Sequence, residues 1–544
     1  MRGALWISIA LLAIPIDVAH AALVISTSPT VNVSCNNGVR TSTASSAVLN
    51  VTDLTTMIGS MDVTIQSESS ARDIVFDAEL AWSSFHSLTL NAWRSIRIDQ
   101  TLVDQGVNRL KINTGFGGDL TFARNARLTL WDGHTLLTIN GTSYLLVDCV
   151  STLAAAISAN PNGFYALADA CDAGPDGVYP SSPIPSFNGT FEGFNNPISN
   201  LTVVDLGAGH NVGMFANAKG SILDNVNLAR VRVQGGANAI VGGLTGGGGS
   251  VISGARVQGQ VSGGSAAFVG LIGGECLNIR KSSSSGKASG GTDSEVGGLV
   301  GLGANITYST SSAKVKAGNS QFSSATAGGL VGYGDGGTVV SSSAAGTVSV
   351  GNGTSNSGSF AGGLMGGSID EKISRSFATG IVTGGVYSIL GGLAGDLDSA
   401  DESFATGSVT GGKFSQAGGL AGHSFSDITN SYALGPVKGG ITGGFAGYNG
   451  GIDTSVFSAG SVTGTTVGGF AGDDGGETSN SAYWDTTTSG TDQAVGKCEF
   501  SCTEVGLTDA QLKSALPAGF DPAIWGLDSK INGGLPYLLD VPPR

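Results

Sequence analysis

Charged residues and proline are scarce in this chain, and each scarcity excludes a class of protein. Asp, Glu, Lys and Arg together make up 12% of 544 residues, and only 14 residues are proline. A collagen needs abundant proline, so this composition excludes it. Disorder caused by low hydrophobicity does not fit a chain that is 40% apolar. The 89 glycines argue against a long helical bundle, because an interior glycine destabilises a helix by about 1 kcal/mol relative to alanine.

Positive charge is the scarcer sign. The formal net charge is −15 and the isoelectric point is near 4.6. We therefore expect no binding to nucleic acid or to an anionic membrane through charge. Acidity spread this thinly is typical of a soluble surface.

The first 21 residues have the pattern of a secretory signal. Arg2 precedes an apolar stretch from Ala4 to Ile16, and a small-x-small site ends at Ala21. A membrane anchor needs about 20 apolar residues, and this stretch is too short. We expect an exported protein, secreted or at the cell surface, that is cleaved near Ala21 and has no integral membrane segment.

Cysteine is also rare, with six in the chain: Cys35, Cys149, Cys171, Cys276, Cys498 and Cys502. So few cysteines cannot form a disulfide scaffold, although an oxidising compartment permits pairing. Cys149 with Cys171 and Cys498 with Cys502 are the candidate pairs, and the sequence leaves open whether either is bonded. No histidine or thiolate cluster accompanies them, so we predict no metal site and no cofactor.

The abundant feature is a glycine-rich repeat of the form Gly-Gly-Leu-x-Gly. Its clearest copies include Gly297 to Gly301, Gly328 to Gly332 and Gly391 to Gly395, and ten copies recur at steps of 25 to 34 residues. The large apolar residues at the centre of the copies are Met214, Leu244, Leu271, Leu299, Leu330, Leu364, Leu393, Leu420, Phe445 and Phe470.

This period indicates a β-solenoid. Propeller blades need about 40–50 residues, and no helical pattern fills the intervals. Stacked coils about 4.8 Å apart pair their backbones above and below and bury one apolar side. The ten central residues are predicted to form one interior column.

A second block alternates with the first and is represented by Ser403-Phe-Ala-Thr-Gly-Ser-Val-Thr-Gly411. Phe404 and Val409 are five residues apart, so an unbroken strand would point them in opposite directions. A corner at Gly407 would let both face inward, because glycine accepts a positive φ without penalty.

These blocks resemble the GLUG motif repeats of large bacterial surface and secreted proteins, some of which are filamentous-haemagglutinin-like adhesins. Segments 163–172, 187–193 and 198–201 resemble the lead-in to such repeats. Tyr483-Trp-Asp485, Trp525 and Leu535-Pro-Tyr537 resemble their close. The resemblance covers roughly residues 150–540. It implies a right-handed parallel β-helix and an exported bacterial protein, and it names no ligand.

The two ends differ from the repeats. Alternating segments at Leu88–Asn91, Leu110–Asn113, Leu128–Trp131 and Leu136–Asn140 predict coarser coils, which resemble the carrier region of filamentous-haemagglutinin-like exoproteins. Helices are predicted over 151–158 and, capped by Thr508, over 509–516. The second helix, with Trp525 and Tyr537, is predicted to cover the open end of the solenoid. The predicted regions are 1–21, 22–150, 151–203, 204–490 and 491–544.

Candidate chemistry is sparse. Asp396, Asp398, Asp401 and Glu402 form one acidic loop, and Asp473, Asp474 and Glu477 form another. We interpret both as solvated turns, with calcium binding as the alternative. The histidines that follow the predicted signal segment are His86, His134, His210 and His423, and none of them is followed by glutamate. The H-E-x-x-H zinc peptidase motif is therefore absent, and the histidines are interpreted as surface residues.

The sequence as a whole predicts an all-β parallel β-helix that acts as an adhesin-like or structural binding protein without catalytic activity. No catalytic, cofactor-binding or metal residue is assigned. The expected partners are glycans or proteins of a host or matrix, and an outer-membrane secretion partner. The alternative is a carbohydrate-active β-helix enzyme, a lyase or hydrolase, which would need two carboxylates within about 10 Å on one coil face.

Overall fold

The computed structural model describes residues 21–131, 134–476, 479–500 and 502–543. The predicted signal segment, residues 1–20, lies outside this range. The chain is nearly all β, and the predicted parallel β-solenoid is confirmed. It divides into two compact units, one ending at Tyr144 and one beginning at Leu145. None of the helices in the described part of the chain has the length and apolarity to cross a membrane.

The first unit stacks short parallel strands in three columns, with one antiparallel hairpin partner at each end of the third column. Leucine and isoleucine alternate with polar residues, so Leu88 and Leu90 are buried while the residues between and after them are not. The predicted strand Leu88–Asn91 is confirmed. The first column contains Ser46–Asn50, Ala22–Ser26, Asp73–Phe76, Ile96–Ile98 and Leu120–Phe122. The second column contains Leu80–Trp82, Leu102–Asp104 and Leu128–Leu130. The third contains Val33–Asn36, Val39–Ser42, Val63–Gln66, Leu88–Asn91, Arg109–Asn113, Leu136–Ile139 and Thr142–Val147.

This unit also contains a helix that the sequence analysis did not predict, Val51–Ile58. The Asn50 side chain accepts the backbone N–H groups of Thr52 and Asp53, which is the usual way to cap a helix N-terminus. Leu54 and Ile58 lie on its buried face.

The second unit repeats one coil design. In a representative coil the strands are β1 (Ser388–Gly391), β2 (Ala394–Leu397), β3 (Ser399–Asp401), β4 (Phe404–Ala405) and β5 (Val409–Thr410). Each pairs in parallel with its equivalent in the next coil, as in the register pairs Gly391 with Gly418 and Val409 with Val437. The labels β1 to β5 are used below for the equivalent strands of every coil.

The β1 strands form a ten-stranded parallel sheet. They are Asn211–Val212, Ile240–Gly242, Phe268–Gly270, Glu295–Gly297, Ala325–Gly328, Ser359–Gly362, Ser388–Gly391, Gln416–Gly418, Ile441–Gly443 and Thr466–Gly468.

The other strands stack in the same way. The separate β2 strands are Ile184–Ser186, Phe215–Asn217, Thr245–Gly247, Ala394–Leu397, Ala421–Ser424, Ala446–Asn449, Ala471–Asp474 and Val495–Cys498. The separate β3 strands are Phe164–Leu167, Thr190–Glu192, Ile222–Asp224, Val251–Ser253, Ser399–Asp401 and Ile428–Thr429. The β4 strands are Cys171–Asp172, Pro197–Ser199, Thr310–Ser311, Ser343–Ala344, Phe377–Ala378, Phe404–Ala405, Tyr432–Ala433 and Val505–Leu507. The β5 strands are Val178–Tyr179, Thr202–Asp205, Lys314–Lys316, Val348–Ser349, Val382–Thr383, Val409–Thr410, Val437–Lys438 and Val462–Thr463.

In several coils two neighbouring strands are continuous. β2 runs into β3 in Gly273–Arg280, Val300–Thr307, Val331–Val340 and Met365–Ser374. β3 runs into β4 in Asp453–Ser458 and Asn480–Asp485, and β4 runs into β5 in Asn227–Gly235, Arg256–Ser262 and Ser283–Ser289.

The predicted interior column is confirmed. All ten residues from Met214 to Phe470 are fully buried, at 0% exposure. Backbone hydrogen bonds follow the column, since the N–H of Leu364 donates to the carbonyl of Leu393 and that of Leu393 to Leu420, both at 2.8 Å. The column is therefore both the apolar core and a line of inter-coil hydrogen bonds.

The prediction that Phe404 and Val409 both face inward is wrong for Phe404. Ala405 and Val409 belong to the interior cluster, whereas Phe404 belongs to a separate cluster outside it. Ala405 and Val409 lie in the separate strands β4 and β5, and both face inward, with the chain bending between them at Gly407.

The predicted corner at Gly407 is present as a bend, but it does not use a positive φ. The left-handed backbone in this coil is at Glu402, with φ 47°, and not at Gly407. Gly407 is required for a different reason, because a Cβ there would overlap the carbonyl oxygen of Gly380 in the preceding coil.

The predicted helix over 151–158 is confirmed as Val150–Ala159, but the C-terminal helix is shorter than predicted. It spans Asp509–Leu512, with a capping box between Thr508 and Gln511. Beyond it the N–H of Ser514 bonds to Gln511, three residues back, which tightens the chain into a turn. Two 3₁₀ turns, Gly174–Asp176 and Asn532–Gly534, and the antiparallel pair Trp525–Gly526 and Tyr537–Leu538 complete the described elements.

The C-terminal segment was predicted to cover the open end of the solenoid. It packs instead on the flank of the coils. Trp525 contacts Tyr432 and Phe457, with ring centroids 6.0 and 5.9 Å apart. Its Nε1–H donates to Asn430 Oδ1 at 3.4 Å. The aromatic residues on the outer side of β4 require this cover. The full cluster contains Phe404, Tyr432, Phe457, Tyr483, Phe520, Trp525, Leu538 and Val541.

Both candidate disulfides are bonded. The Cα atoms of Cys149 and Cys171 are 5.3 Å apart, and those of Cys498 and Cys502 are 6.1 Å apart. Cys35 is free and exposed, and Cys276 is free and buried.

Candidate functional site in the acidic groove

Strands β1 and β2 of each coil meet at the Gly-Gly-Leu-x-Gly bend. A Cβ on Gly391 would overlap the carbonyl of Ala394 in β2, and one on Gly395 would overlap the carbonyl of Gly366 in the preceding coil. Only glycine permits this close approach. The bend therefore fixes the position of the outward-facing residues that follow it in β2.

Those residues form a column along the outer face, because parallel strands keep their register. Asp396 pairs with His423, His423 with Tyr448, and Tyr448 with Asp473 in successive coils. Neighbours in this column are separated by one inter-strand spacing of about 4.8 Å. Residues about 25 apart in the chain are therefore side by side on the surface.

Three rings form an aromatic wall in two of these coils. The ring centroid of His423 is 5.5 Å from Phe425 and 5.7 Å from Tyr448, and Phe425 and Tyr448 are 6.0 Å apart. Phe425 is 53% exposed, so an apolar ring faces solvent. His423 Nε2 is hydrogen-bonded to Gln416 Oε1 of β1, which fixes the imidazole in place. Burial lowers the pKa of His423 to about 4, so the ring is neutral at physiological pH.

The aromatic wall borders an open groove of about 730 Å³. The groove crosses four coils at the junction of β2 and β3. Its lining residues are Asp370, Glu371, Lys372, Asp398, Ser399, Phe425, Ser426, Asp427, Gly450, Gly451 and Ile452. Four of these are carboxylates and one is a lysine, so we call it the acidic groove.

Glu371 is the most unusual carboxyl group of the acidic groove. It is 1% exposed, and neither of its carboxylate oxygens has a hydrogen-bond partner among the described residues. Burial, and then the charge of Asp398, raises the pKa of Glu371 to about 8. Burial and Asp398 also raise the pKa of Asp396 to about 6. Glu371 is thus mainly protonated at neutral pH.

Two other carboxylates hold the turns between coils. Asp398 Oδ2 accepts the N–H of Glu371 at 3.1 Å, and Asp427 Oδ1 accepts the N–H of Ile452 at 3.2 Å. Each bond uses one oxygen and links two adjacent coils. These two carboxylates are therefore held in hydrogen-bonded positions beside Glu371.

The structure divides the first predicted acidic loop. Asp398 lines the groove, and Asp396 lies two residues before it. Both are partly buried, so the prediction that they lie in a solvated turn is wrong. Asp401 instead accepts hydrogen bonds from Thr429 Oγ1 at 2.8 Å and Asn430 Nδ2 at 3.1 Å. Sequence reasoning missed Glu371, Phe425 and Asp427. The signal that could have found them is the coil period, since Glu371 and Asp398 are 27 residues apart.

The second predicted loop is divided as well. Asp473 faces outward and pairs with Lys497 Nζ at 3.3 Å, whereas Asp474 is buried. Glu477 lies outside the described residues. Of the four histidines only His423 is at the acidic groove. His210 lies 3.0 Å from Asp205, and His86 lies 3.7 Å from Asp62.

The fold and groove define a class, a parallel β-solenoid with an acidic, partly aromatic surface groove. No protein-family model matches the chain, and no curated protein matches it. Two solved structures are similar. One is of a Bacteroides ovatus protein proposed to be an immunoglobulin A1 protease, at 14% identity and a TM-score of 0.30, covering 73% of this chain and 93% of that one. The other is named IgA1 protease, at 17% identity and a TM-score of 0.27, covering 71% of this chain and 27% of that one.

At these identities the likeness concerns the fold alone. Both proteins are nevertheless named as proteases, which contradicts the prediction that this chain has no catalytic activity. We withdraw that prediction. The acidic groove also meets the condition set for the alternative, because it places several carboxylates on one face of neighbouring coils.

Proposed function

We propose that the protein is an exported binding protein of the adhesin type, and that the acidic groove is its binding site for a glycan. The observation that carries this proposal is that an exposed aromatic ring, Phe425, lines the same groove as four carboxylates. Sugar rings present an apolar C–H face, which packs on aromatic faces such as Phe425 and Tyr448. Their hydroxyl groups donate to carboxylate oxygens.

The charge of the groove narrows the ligand class. Asp370, Asp398 and Asp427 are close together, with Lys372 as the one cation lining the groove. Like charges repel, so an acidic polysaccharide is disfavoured. Neutral glycans and glycans containing amino sugars fit the groove best.

A glycan array probed with the purified mature chain tests this proposal. We expect retention on neutral or amino-sugar glycans. Phe425→Ala and Tyr448→Ala should weaken binding at least about tenfold, because the first removes the ring that lines the groove and the second removes the neighbouring ring of the aromatic wall. Phe322→Ala is the matched control, since Phe322 is 87% exposed and does not line the groove. Undiminished binding by both groove variants would exclude the groove as the site.

A second candidate function is glycoside hydrolysis in the same groove. The observation that favours it is the position of Glu371, a carboxyl whose pKa burial raises to about 8, beside Asp398 in the same groove. A protonated carboxyl can donate to the leaving oxygen while an ionised one activates water, so that water adds across the glycosidic bond. Release of reducing ends from a bound glycan would support hydrolysis, and Glu371→Gln and Asp398→Asn should each abolish that release. Binding without any release would leave the adhesin proposal alone.

A further inference from the structure

The interior of the solenoid changes from apolar to acidic in its last coils. Along one interior column Ile373 pairs with Ala400, Ala400 with Ile428, and Ile428 with Asp453. Asp453 is as fully buried as Ile428, at 0% exposure. A carboxylate in a core position is strongly unfavourable unless its charge is paired or it binds a metal.

Three further oxygen-bearing side chains lie in the same part of the last coils, and the charges of two of them, Asp474 and Glu504, act on Asp453. Asn449 and Asp474 are register partners in β2, at 0% and 3% exposure. Glu504 follows the Cys498–Cys502 disulfide, and its carboxylate approaches that of Asp474 to within 4.8 Å. Cys502 lies equally close, but its sulfur is bonded to Cys498 and is not a thiolate.

These buried atoms have no partners within the part of the chain that the structure describes. Both carboxylate oxygens of Asp453, Oδ1 of Asn449, Oδ2 of Asp474 and Oε2 of Glu504 accept no hydrogen bond. Among the described residues no ion pair joins a lysine or arginine to these groups, and Lys497 pairs instead with Asp473 and Glu499 on the outer face. Nearly all buried polar atoms in proteins are satisfied, so a group of this size indicates a missing ligand.

We propose that Asp453, Asp474, Glu504 and Asn449 bind one calcium ion in the interior of the last coils. The donors are carboxylate and amide oxygens, which are the hard ligands that Ca²⁺ prefers. Zn²⁺ favours nitrogen and sulfur, and the nearby sulfur is in a disulfide. Mg²⁺ requires a small and nearly octahedral shell that retains several waters, which suits this buried set less well.

The ion has a structural consequence. It links β2 of two coils to the segment that carries Glu504, and so it ties the C-terminal part of the second unit to the solenoid. Of the acidic loop formed by Asp473, Asp474 and Glu477, only Asp474 is a ligand of the proposed calcium site. The other ligands come from separate coils.

Thermal unfolding of the purified full chain tests the proposal. After treatment with EDTA and dialysis at pH 7.5, addition of 1 mM Ca²⁺ should raise the unfolding midpoint by about 3 °C or more, because a ligand that binds the folded state alone stabilises it. Equilibrium dialysis with ⁴⁵Ca²⁺ should give one ion per chain. The same concentration of Mg²⁺ should have a smaller effect.

Asp453→Asn should abolish both the shift and the binding. Asp485→Asn is the matched control, because Asp485 is 1% exposed and accepts hydrogen bonds from the backbone N–H groups of Thr487 and Thr488, so the calcium response of this variant should be unchanged. If Asp453→Asn does not fold, Glu504→Gln, at a half-buried position, is the second variant to test. It should weaken calcium binding at least tenfold. No bound ⁴⁵Ca²⁺ in the wild-type chain would overturn the proposal, as would full binding by both ligand variants. In either case shared protons would be the remaining way to neutralise the cluster.

Discussion

The ring of Phe404 stacks on that of Tyr432 one coil further on, with centroids 4.8 Å apart and planes 5° from parallel. The same stacking continues from Phe377 to Phe404 at 4.9 Å and from Tyr432 to Phe457 at 5.2 Å. These distances are close to the spacing between strands, because each ring follows its own backbone in register. The result is an apolar ladder outside the solenoid, which is stable in water only when another segment covers it.

Removal of that cover should destabilise the second unit. Trp525 is 1% exposed and contacts both Tyr432 and Phe457. Trp525→Ala is expected to lower the free energy of unfolding by about 3–5 kcal/mol, the usual loss for a buried large aromatic residue. Denaturant titration followed by the remaining tryptophans measures it, and limited proteolysis should release the C-terminal segment first. Phe322→Ala is the exposed control, and an equal loss there would show that the effect is not specific to the ladder.

The glycines of the bend give a second prediction. A Cβ on Gly392 would overlap the carbonyl oxygen of Gly419, and backbone cannot move aside as a side chain can. Gly392→Ala should therefore destabilise the chain by about 3 kcal/mol or more. At Gly367 the nearest atoms to a Cβ are 3.6 Å away, an ordinary contact, so Gly367→Ala should change stability by less than about 1 kcal/mol. Equal tolerance of both changes in thermal melts would contradict the close approach of successive coils at the bend.

Much of this fold follows from local pattern, and much of the site does not. Leu393 and its equivalents recur at one coil period, so their interior position was predictable from the sequence alone. The outward direction of Phe404 was not, because its cover, Trp525, is 121 residues away in the chain. Asp453 follows Gly450-Gly-Ile and has the local appearance of a turn. Its burial becomes visible only when Ile428 is placed beside it.

The two disulfides should differ in their contribution to stability. The bond from Cys149 to Cys171 spans 22 residues, whereas that from Cys498 to Cys502 spans four. In the chain-entropy account a longer loop restricts the unfolded chain more, so loss of the first bond should cost about 3 kcal/mol and loss of the second about 2 kcal/mol. Denaturant titrations of the paired Cys→Ala variants measure both. A larger loss from the short loop would mean that its bond acts mainly by holding Glu504 near Asp474.

The buried carboxyl of Glu371 predicts a dependence of stability on pH. Its pKa is raised from about 4.5 to about 8, so the folded chain binds this proton more tightly than the unfolded chain. The stability that the protonated form contributes is present below pH 4.5 and is lost as the pH rises to about 8. Glu371→Gln removes this loss, so the variant should be more stable than wild type at pH 9, by on the order of 3 kcal/mol, and nearly equal to it at pH 4. Unfolding midpoints measured from pH 4 to pH 9 test the sign. Asp492→Asn, at an exposed position, is the control and should show no such trend. If Glu371→Gln differed from wild type by the same amount at every pH, Glu371 would not titrate in this range.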